Sequence, residues 1–239
     1  MTASPEATAG ADASCVRDAC VRTERLSFRY DGEIPALHEV SIEIPRNAFL
    51  GIIGQNGSGK TTLVKHLNGL LRPTSGRVWV DGVETTTVST SELARTVGYV
   101  FQNPDQQIFC ATTREEIAFG PRNLELDPAE VKARVAESLA AFDLAPYAEV
   151  PPAVLGFGLR RKVAVASVMA MRPRILILDE PTVGLDWRSA RELMRRLGGL
   201  HADGHTIILV THDMRLVTEY TQYTLLMHDG GVLAYGSTR

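Results

Sequence analysis

The chain has 239 residues, 44% of them hydrophobic and 22% charged, which excludes collagen-like, coiled-coil and disordered classes for its bulk and leaves enough chain to bury a core without staples. A net charge of −3 argues against nucleic acid as a partner, because phosphate-backbone binders carry a basic excess. Cys15, Cys20 and Cys110 lack metal-ligand spacing and fit a reducing, cytosolic compartment, and no apolar run approaches the ~18 residues that would cross a bilayer.

In chain order, residues 1–20 are rich in Ala, Ser, Thr and Gly without periodicity and read as a disordered tail that carries no secretory signal. Ordered structure is expected from Val21 to about 237. Arg25–Tyr30 and Val40–Ile44 read as antiparallel strands, the second alternating apolar Val40, Ile42 and Ile44 with polar residues. Asp31-Gly32 and Pro45 punctuate them. Ala48–Ile53 is a continuous apolar run, as in a buried strand. Glycines follow, then a predicted helix over Thr61–Leu71 and a short strand at Arg77–Val80. A helical insertion is expected over roughly 120–170. Within it, Asp127 stands as the cap of a helix with Pro128 first and Glu130 third, running to Phe142. A second helix is predicted over Gly158–Met171. Ile175–Leu178, Arg188–Leu200 and Thr206–Val210 then read as strand, helix and strand. Strands alternating with helices imply an α/β fold with a mostly parallel sheet.

Two stretches carry chemistry. Gly54-Gln55-Asn56-Gly57-Ser58-Gly59-Lys60-Thr61 satisfies G-x-x-x-x-G-K-[ST] between a predicted buried strand and a predicted helix, the context in which such a loop cradles phosphates. Glycines let the backbone curl so that successive N–H groups face an anion, and the helix N-terminus adds its partial positive charge. Lys60 can reach the β- and γ-phosphates of ATP, and the Thr61 hydroxyl can ligate Mg²⁺; Thr62 completes the ATP-binding set. The second stretch, Ile175-Leu176-Ile177-Leu178-Asp179-Glu180, ends in acids at the C-terminal end of a strand, where open α/β sheets bind ligands. Asp179 is expected to hold Mg²⁺ through water and Glu180 to polarise the attacking water. Alone, a strand ending in solvated acids is commonplace; downstream of the phosphate loop, the nucleotide reading is the better one.

Asp179-Glu180-Pro181-Thr182 followed by Gly184-Leu185-Asp186 resembles the Walker B motif and D-loop of ABC ATPases, and the resemblance extends over about residues 21–237. It implies an α/β P-loop ATPase core with an antiparallel β-subdomain and a helical subdomain at about 103–170. It also implies roles. Gln102 matches the Q-loop glutamine, a ligand of Mg²⁺ and water. His212, in Val210-Thr211-His212-Asp213, matches the switch histidine that contacts the γ-phosphate. Tyr30 sits where the family stacks an aromatic on adenine, and Asp186 is the D-loop acid. Taken singly, Gln102, His212 and Tyr30 would read as ordinary polar or packing residues; their register with both Walker motifs argues for function. Glu180, His212 and Lys60 are then the catalytic set. Phe101-Gln102-Asn103-Pro104-Asp105-Gln106-Gln107-Ile108-Phe109 and Ile117–Leu124 are similar to ATPases of energy-coupling-factor (ECF) importers of vitamins, cobalt or nickel. In that group the first stretch forms a short helix facing the coupling helices of the transmembrane subunit. The resemblance implies a peripheral ATPase on the cytoplasmic face of the cell membrane, with a transmembrane coupling subunit and a substrate-binding membrane subunit as partners. Another ABC importer or exporter shares most of these motifs. A soluble, non-transport ABC ATPase ranks lower, because such proteins carry a long coiled-coil insertion or two cassettes.

One motif departs from the family. The ABC signature is normally Leu-Ser-Gly-Gly-Gln, and the matching positions read Leu155-Gly156-Phe157-Gly158-Leu159. The family sets this motif across a dimer interface from the other subunit's Walker A loop. Gly156 supplies no hydroxyl, and Phe157 is expected to bring bulk where a glycine fits against the nucleotide. One lost charge-assisted hydrogen bond costs about 1.5–3 kcal/mol, on the order of tenfold to a hundredfold in function. A heterodimer with a second ABC ATPase, with one strong and one weak site, is therefore expected ahead of a homodimer. The Arg160-Arg161-Lys162 cluster is expected on a solvated or interface-facing helix. The group usually continues beyond the equivalent of Arg239 with a helical extension that supports dimerisation, so either dimerisation rests on the ATPase core or the subfamily assignment shifts.

Overall fold

The computed structural model describes residues 18–31 and 33–239; residues 1–17 of the tail expected over 1–20, and Gly32, lie outside the described residues. The chain opens with strands β1 (Ala19–Tyr30) and β2 (Ile34–Pro45), then β3 (Phe49–Ile53), helix α1 (Lys60–Leu67), β4 (Ser75–Val80), β5 (Val83–Glu84) and the single-turn α2 (Thr90–Leu93). After β6 (Val97–Val100) come three consecutive helices, α3 (Thr113–Asn123), α4 (Pro128–Ala141) and α5 (Phe157–Met169). The rest alternates: β7 (Ile175–Asp179), α6 (Trp187–Ala202), β8 (Thr206–Val210), α7 (Met214–Tyr220), then the hairpin β9 (Tyr223–His228) and β10 (Gly231–Ser237).

Two sheets result. A four-stranded antiparallel sheet runs β2-β1-β4-β5, and a six-stranded sheet runs β10-β9-β3-β8-β7-β6. In the second, β9, β3, β8, β7 and β6 are parallel and β10 is antiparallel at the edge. Every residue of β3, β7 and β8 is buried, as expected of strands covered on both faces. Side-chain alternation divides the interior in two. Leu50, Ile52, Ile175, Ile177, Ile208 and Val210 face α1 and the antiparallel sheet. Phe49, Leu176, Leu178, Ile207 and Leu209 face α3 to α6.

Most predicted elements fall where the pattern puts them, with differences that have local causes. Strand β1 takes in Ala19 and Cys20, which the sequence places in the tail, because Cys20 is itself buried at 1% exposure and pairs into the sheet beside Ile44. Helix α1 stops at Leu67, four residues before Leu71: Asn68 caps it and Gly69 turns to a φ of +73°. The helical region starts at Thr113, before 120, where the Thr112 side chain accepts the Glu115 N–H. Asp127 caps α4 by accepting from Ala129 N, but Glu130 pairs with Arg134 along the helix rather than reaching back to the cap. The short helix of the Asn103–Phe109 stretch is one 3₁₀ turn, Pro104–Gln106, started by the Asn103 side chain.

Candidate nucleotide-binding site

The site lies along one edge of the parallel sheet. The glycine loop leaves the C-terminal end of β3, His212 follows β8, Asp179 and Glu180 end β7, and Gln102 follows β6. These four strands are consecutive neighbours in the order β3-β8-β7-β6. Motifs separated by more than a hundred residues of sequence are thereby set side by side.

The loop demands glycine at two points. Gly54 has a φ of +147°, and a Cβ there would lie 2.2 Å from the Met227 carbonyl; Gly59 has a φ of +94°, and its Cβ would lie 2.7 Å from the Ala36 carbonyl. Lys60 folds back into the loop. Its Nζ donates to the carbonyls of Gly54 and Gln55, both at 2.8 Å, and approaches Ser58 Oγ at 3.4 Å. Burial pulls the Lys60 ammonium below its ordinary pKa, against the attraction of Glu180 and Asp179. Asn56 and Gly57 form the exposed tip of the loop.

Thr61, in the first turn of α1, donates its hydroxyl to Asp179 Oδ2 at 2.8 Å, and Tyr99 donates to the same oxygen at 3.0 Å. Burial and the Asp179 charge push the Tyr99 phenol up, so it stays a donor. Asp179 Oδ1 is buried with no hydrogen-bond partner among the described residues, and so is Glu180 Oε2. Glu180 stands at a φ of +48°, an uncommon conformation for a side chain of this size. Its N–H donates to the Val210 carbonyl at 2.9 Å, which ties the end of β7 to β8. The other carboxylate oxygen, Oε1, lies 3.0 Å from His212 Nδ1. Glu180 is buried while the His212 side chain is 69% exposed, so the histidine is free to turn toward a ligand.

Tyr30 ends β1 beside this loop, 37% exposed, with its hydroxyl 3.1 Å from Thr62 Oγ1 and its ring edge-on to Phe28. Gln102 is exposed just past β6. Asp186 caps α6, accepting from the N–H and hydroxyl of Ser189, and those bonds hold its carboxyl below the usual range.

The signature positions open α5. Leu155 is buried, Gly156 is the cap residue without a side chain to donate or accept, and Leu159 packs into the helical core. Gly158 faces Leu185: a Cβ on it would meet only that side chain, at 3.7 Å. Phe157 differs from expectation. Its ring is turned onto its own chain, so tightly that a Cβ on Gly184 would lie 2.5 Å from Phe157 Cε1. The aromatic bulk expected at this position is thus taken up against Gly184 of the same chain.

The basic cluster also departs from expectation. Arg160 and Lys162 face acids at the surface, Asp105 and Asp143, but Arg161 is 1% exposed. Its guanidinium is held inside, donating to the carbonyls of Phe101 and Val183, rather than reaching out to solvent. Tyr99, Gln107 and Glu116 were likewise invisible as site-building residues. Gln107 accepts from Phe101 N and donates to the Ala164 carbonyl; Glu116 accepts from the N–H groups of Phe109 and Cys110. Nothing in the spacing marks them: Tyr99 reaches the Asp179 carboxylate across the sheet, Gln107 ties its own loop to α5, and Glu116 bonds the backbone of the turn just before α3.

Comparison with known proteins agrees with this geometry. The family model described as ABC transporter matches residues 37–183. The chain is 44% identical to the energy-coupling factor transporter ATP-binding protein EcfA1 of Methanospirillum hungatei, over 91% of this chain and 79% of that protein. It is 44% identical over 93% of its length to an ABC transporter ATP-binding protein of Caldanaerobacter subterraneus, of which it spans only 39%. The solved structure of cbiO1 from Clostridium perfringens, described as part of the ABC transporter complex cbiONQ, matches with a TM-score of 0.82 at 35% identity, covering 93% of this chain and 90% of that one. The chain belongs to the ABC transporter family. It is an ATP-binding, ATP-hydrolysing cassette of that family, related to the energy-coupling-factor ATPases.

Proposed function

We propose that this chain powers an ECF-type importer of a vitamin, cobalt or nickel as one of a pair of ATPases at the cytoplasmic face of the membrane. The observation that carries the chemistry is the alignment of the glycine loop, His212, Asp179–Glu180 and Gln102 on four neighbouring strand ends. In this reading the loop N–H groups of Gln55–Thr61 and the first turn of α1 hold the phosphates, with Lys60 leaving the loop carbonyls for the β- and γ-oxygens. Tyr30 offers its ring to adenine. Glu180, with one buried oxygen unpartnered, orients water for in-line attack, and His212 swings from Glu180 to the γ-phosphate.

The residues fit Mg²⁺. Thr61 and Asp179 present only oxygen, the donor type a hard divalent cation takes, and Asp179 keeps one buried oxygen without a partner. Gln102, on the next strand end, is the further ligand in this assignment. The ion would neutralise charge on the phosphates.

The membrane partner is assigned to the face of the helical subdomain, about 103–170. Phe109 and Phe119, 66% and 43% exposed, meet edge-to-face at 4.7 Å. They flank a groove of about 340 Å³ that also borders α2 and Met171. The second ATPase is assigned an intact signature, which would complete this chain's Walker site, while Gly156 weakens the partner's.

Turnover of the membrane complex tests the reading. Glu180→Gln in this chain should spare ATP binding and cut hydrolysis at its site by at least about 10²-fold. Unchanged turnover with this site occupied would refute the role given to Glu180.

A further inference from the structure

Arg161 is the largest fully buried side chain among the described residues, and no carboxylate binds it. Both hydrogen bonds of its guanidinium go to main-chain carbonyls, at Phe101 (3.0 Å) and Val183 (3.4 Å). Those carbonyls belong to different loops. Phe101 precedes Gln102 at the end of β6. Val183 lies midway between Glu180 and Asp186 in the turn after β7. The guanidinium carbon also sits 5.5 Å from the centre of the Phe157 ring, and that ring packs on Gly184 of the same turn. Nε is buried without a hydrogen-bond partner among the described residues.

Burying a charge is costly unless its donors are used. Here the cost is borne at one point where three segments meet: the Gln102 loop, the Glu180–Asp186 turn and the first turn of α5. A guanidinium is suited to that position. It stays charged at every ordinary pH, and its donors diverge in a fixed planar fork that can hold two acceptors at once. Because the acceptors are backbone groups, the link holds whatever side chains the loops carry. Asp179 and Glu180 supply the nearest stabilising charges, acting through space rather than by a bond.

We propose that Arg161 is a positioning residue that bridges the Gln102 loop to the Asp186 turn, so that a shift of either loop is passed to the other and to α5. The bridge stands on the geometry alone. Its bearing on ATP turnover rests on the roles assigned to Gln102 and Asp186 above. Phe157 supports it as the apolar floor on which the guanidinium lies.

The test is amide hydrogen exchange of the full chain carrying Arg161→Met or Arg161→Lys, with the affinity of each for a fluorescent ATP analogue measured alongside. Met keeps length and volume without charge; Lys keeps the charge without the fork. In the Met variant, exchange should rise by at least about tenfold in both 101–107 and 183–187, while α1 and β8 keep wild-type protection. The Lys variant should open at least one of the two segments. Affinity for the analogue should stay within about threefold, since neither loop is the phosphate loop. Wild-type protection of both segments in the Met variant would reduce Arg161 to a space-filler and overturn the bridge. Should the Met variant fail to fold, full protection of both segments in the Lys variant overturns it equally. A wild-type chain that does not bind the analogue would count against the nucleotide reading and leave the exchange result to decide the bridge.

Discussion

At the scale of single residues the site is defined by acids whose oxygens are unequally satisfied. Among the described residues, Asp179 has one oxygen held by Thr61 and Tyr99 and one buried without a partner; Glu180 has one oxygen near His212 and one without. A buried carboxylate oxygen left unpaired is costly, and in this reading the metal and the water are what satisfy them. Tyr99→Phe should therefore destabilise the chain by about 1.5–3 kcal/mol, the worth of a hydrogen bond to a charged group, read as a lowered urea midpoint with an unchanged slope. An unshifted midpoint would mean that Thr61 alone satisfies that oxygen. Tyr99 also marks the limit of sequence reading at this scale. The phosphate loop is legible because its motif is local; the acid pair is read from its place downstream of that loop, and His212 only through its register with the family motifs. Tyr99 acts across a sheet, on a residue 80 positions away, and no local pattern reports that.

At the scale of elements, strands with clean apolar runs or alternation are readable and interrupted ones are not. Val97-Gly98-Tyr99-Val100 hides β6 because glycine breaks the run. Gly98 is required nonetheless, since a Cβ there would lie 2.6 Å from both Pro173 and Val168. Pro121 and Gly120 similarly obscure α3, and Gly120 lies flush against Met171. Gly156 is the cap residue before helix α5; its backbone is extended (φ −61°, ψ 155°), and a Cβ on it would meet nothing within 4 Å. Gly156→Ser therefore fits without strain and changes stability by only a few tenths of a kcal/mol, about the difference between these caps. In the ATPase pair it should raise turnover at the opposing site by about tenfold or more. Unchanged turnover would show that the signature of this chain is not limiting. Helix α1 carries a pH response. Burial holds the His66 imidazole below its ordinary 6.5, with Nδ1 against the Thr62 carbonyl. The unfolded chain thus binds the proton more tightly, so this residue's share of stability falls as pH drops below about 6.5 toward the folded value. Denaturant midpoints measured from pH 8 to pH 5 should show that decline, and His66→Leu should flatten it.

At the scale of the whole molecule, sheet topology converts a list of motifs into a site. The order β3-β8-β7-β6 lines up four strand ends that the chain visits far apart. The β-α alternation made the parallel sheet legible, but not this order, because strand neighbours depend on crossovers that leave no trace in hydrophobic pattern. The molecule also looks like half of a machine. Its Walker residues are complete, its signature lacks the hydroxyl, and an exposed aromatic pair borders a groove on the helical face. In the proposed reading, an intact signature and a membrane subunit are what its partners supply. The most direct measurement is affinity purification of the tagged chain from detergent-solubilised membranes, with mass spectrometry of what accompanies it. The expected result is a second ATPase bearing Leu-Ser-Gly-Gly-Gln together with small integral membrane proteins. Recovery of this chain alone, or with ribosomal or DNA-bound partners, would contradict the importer assignment.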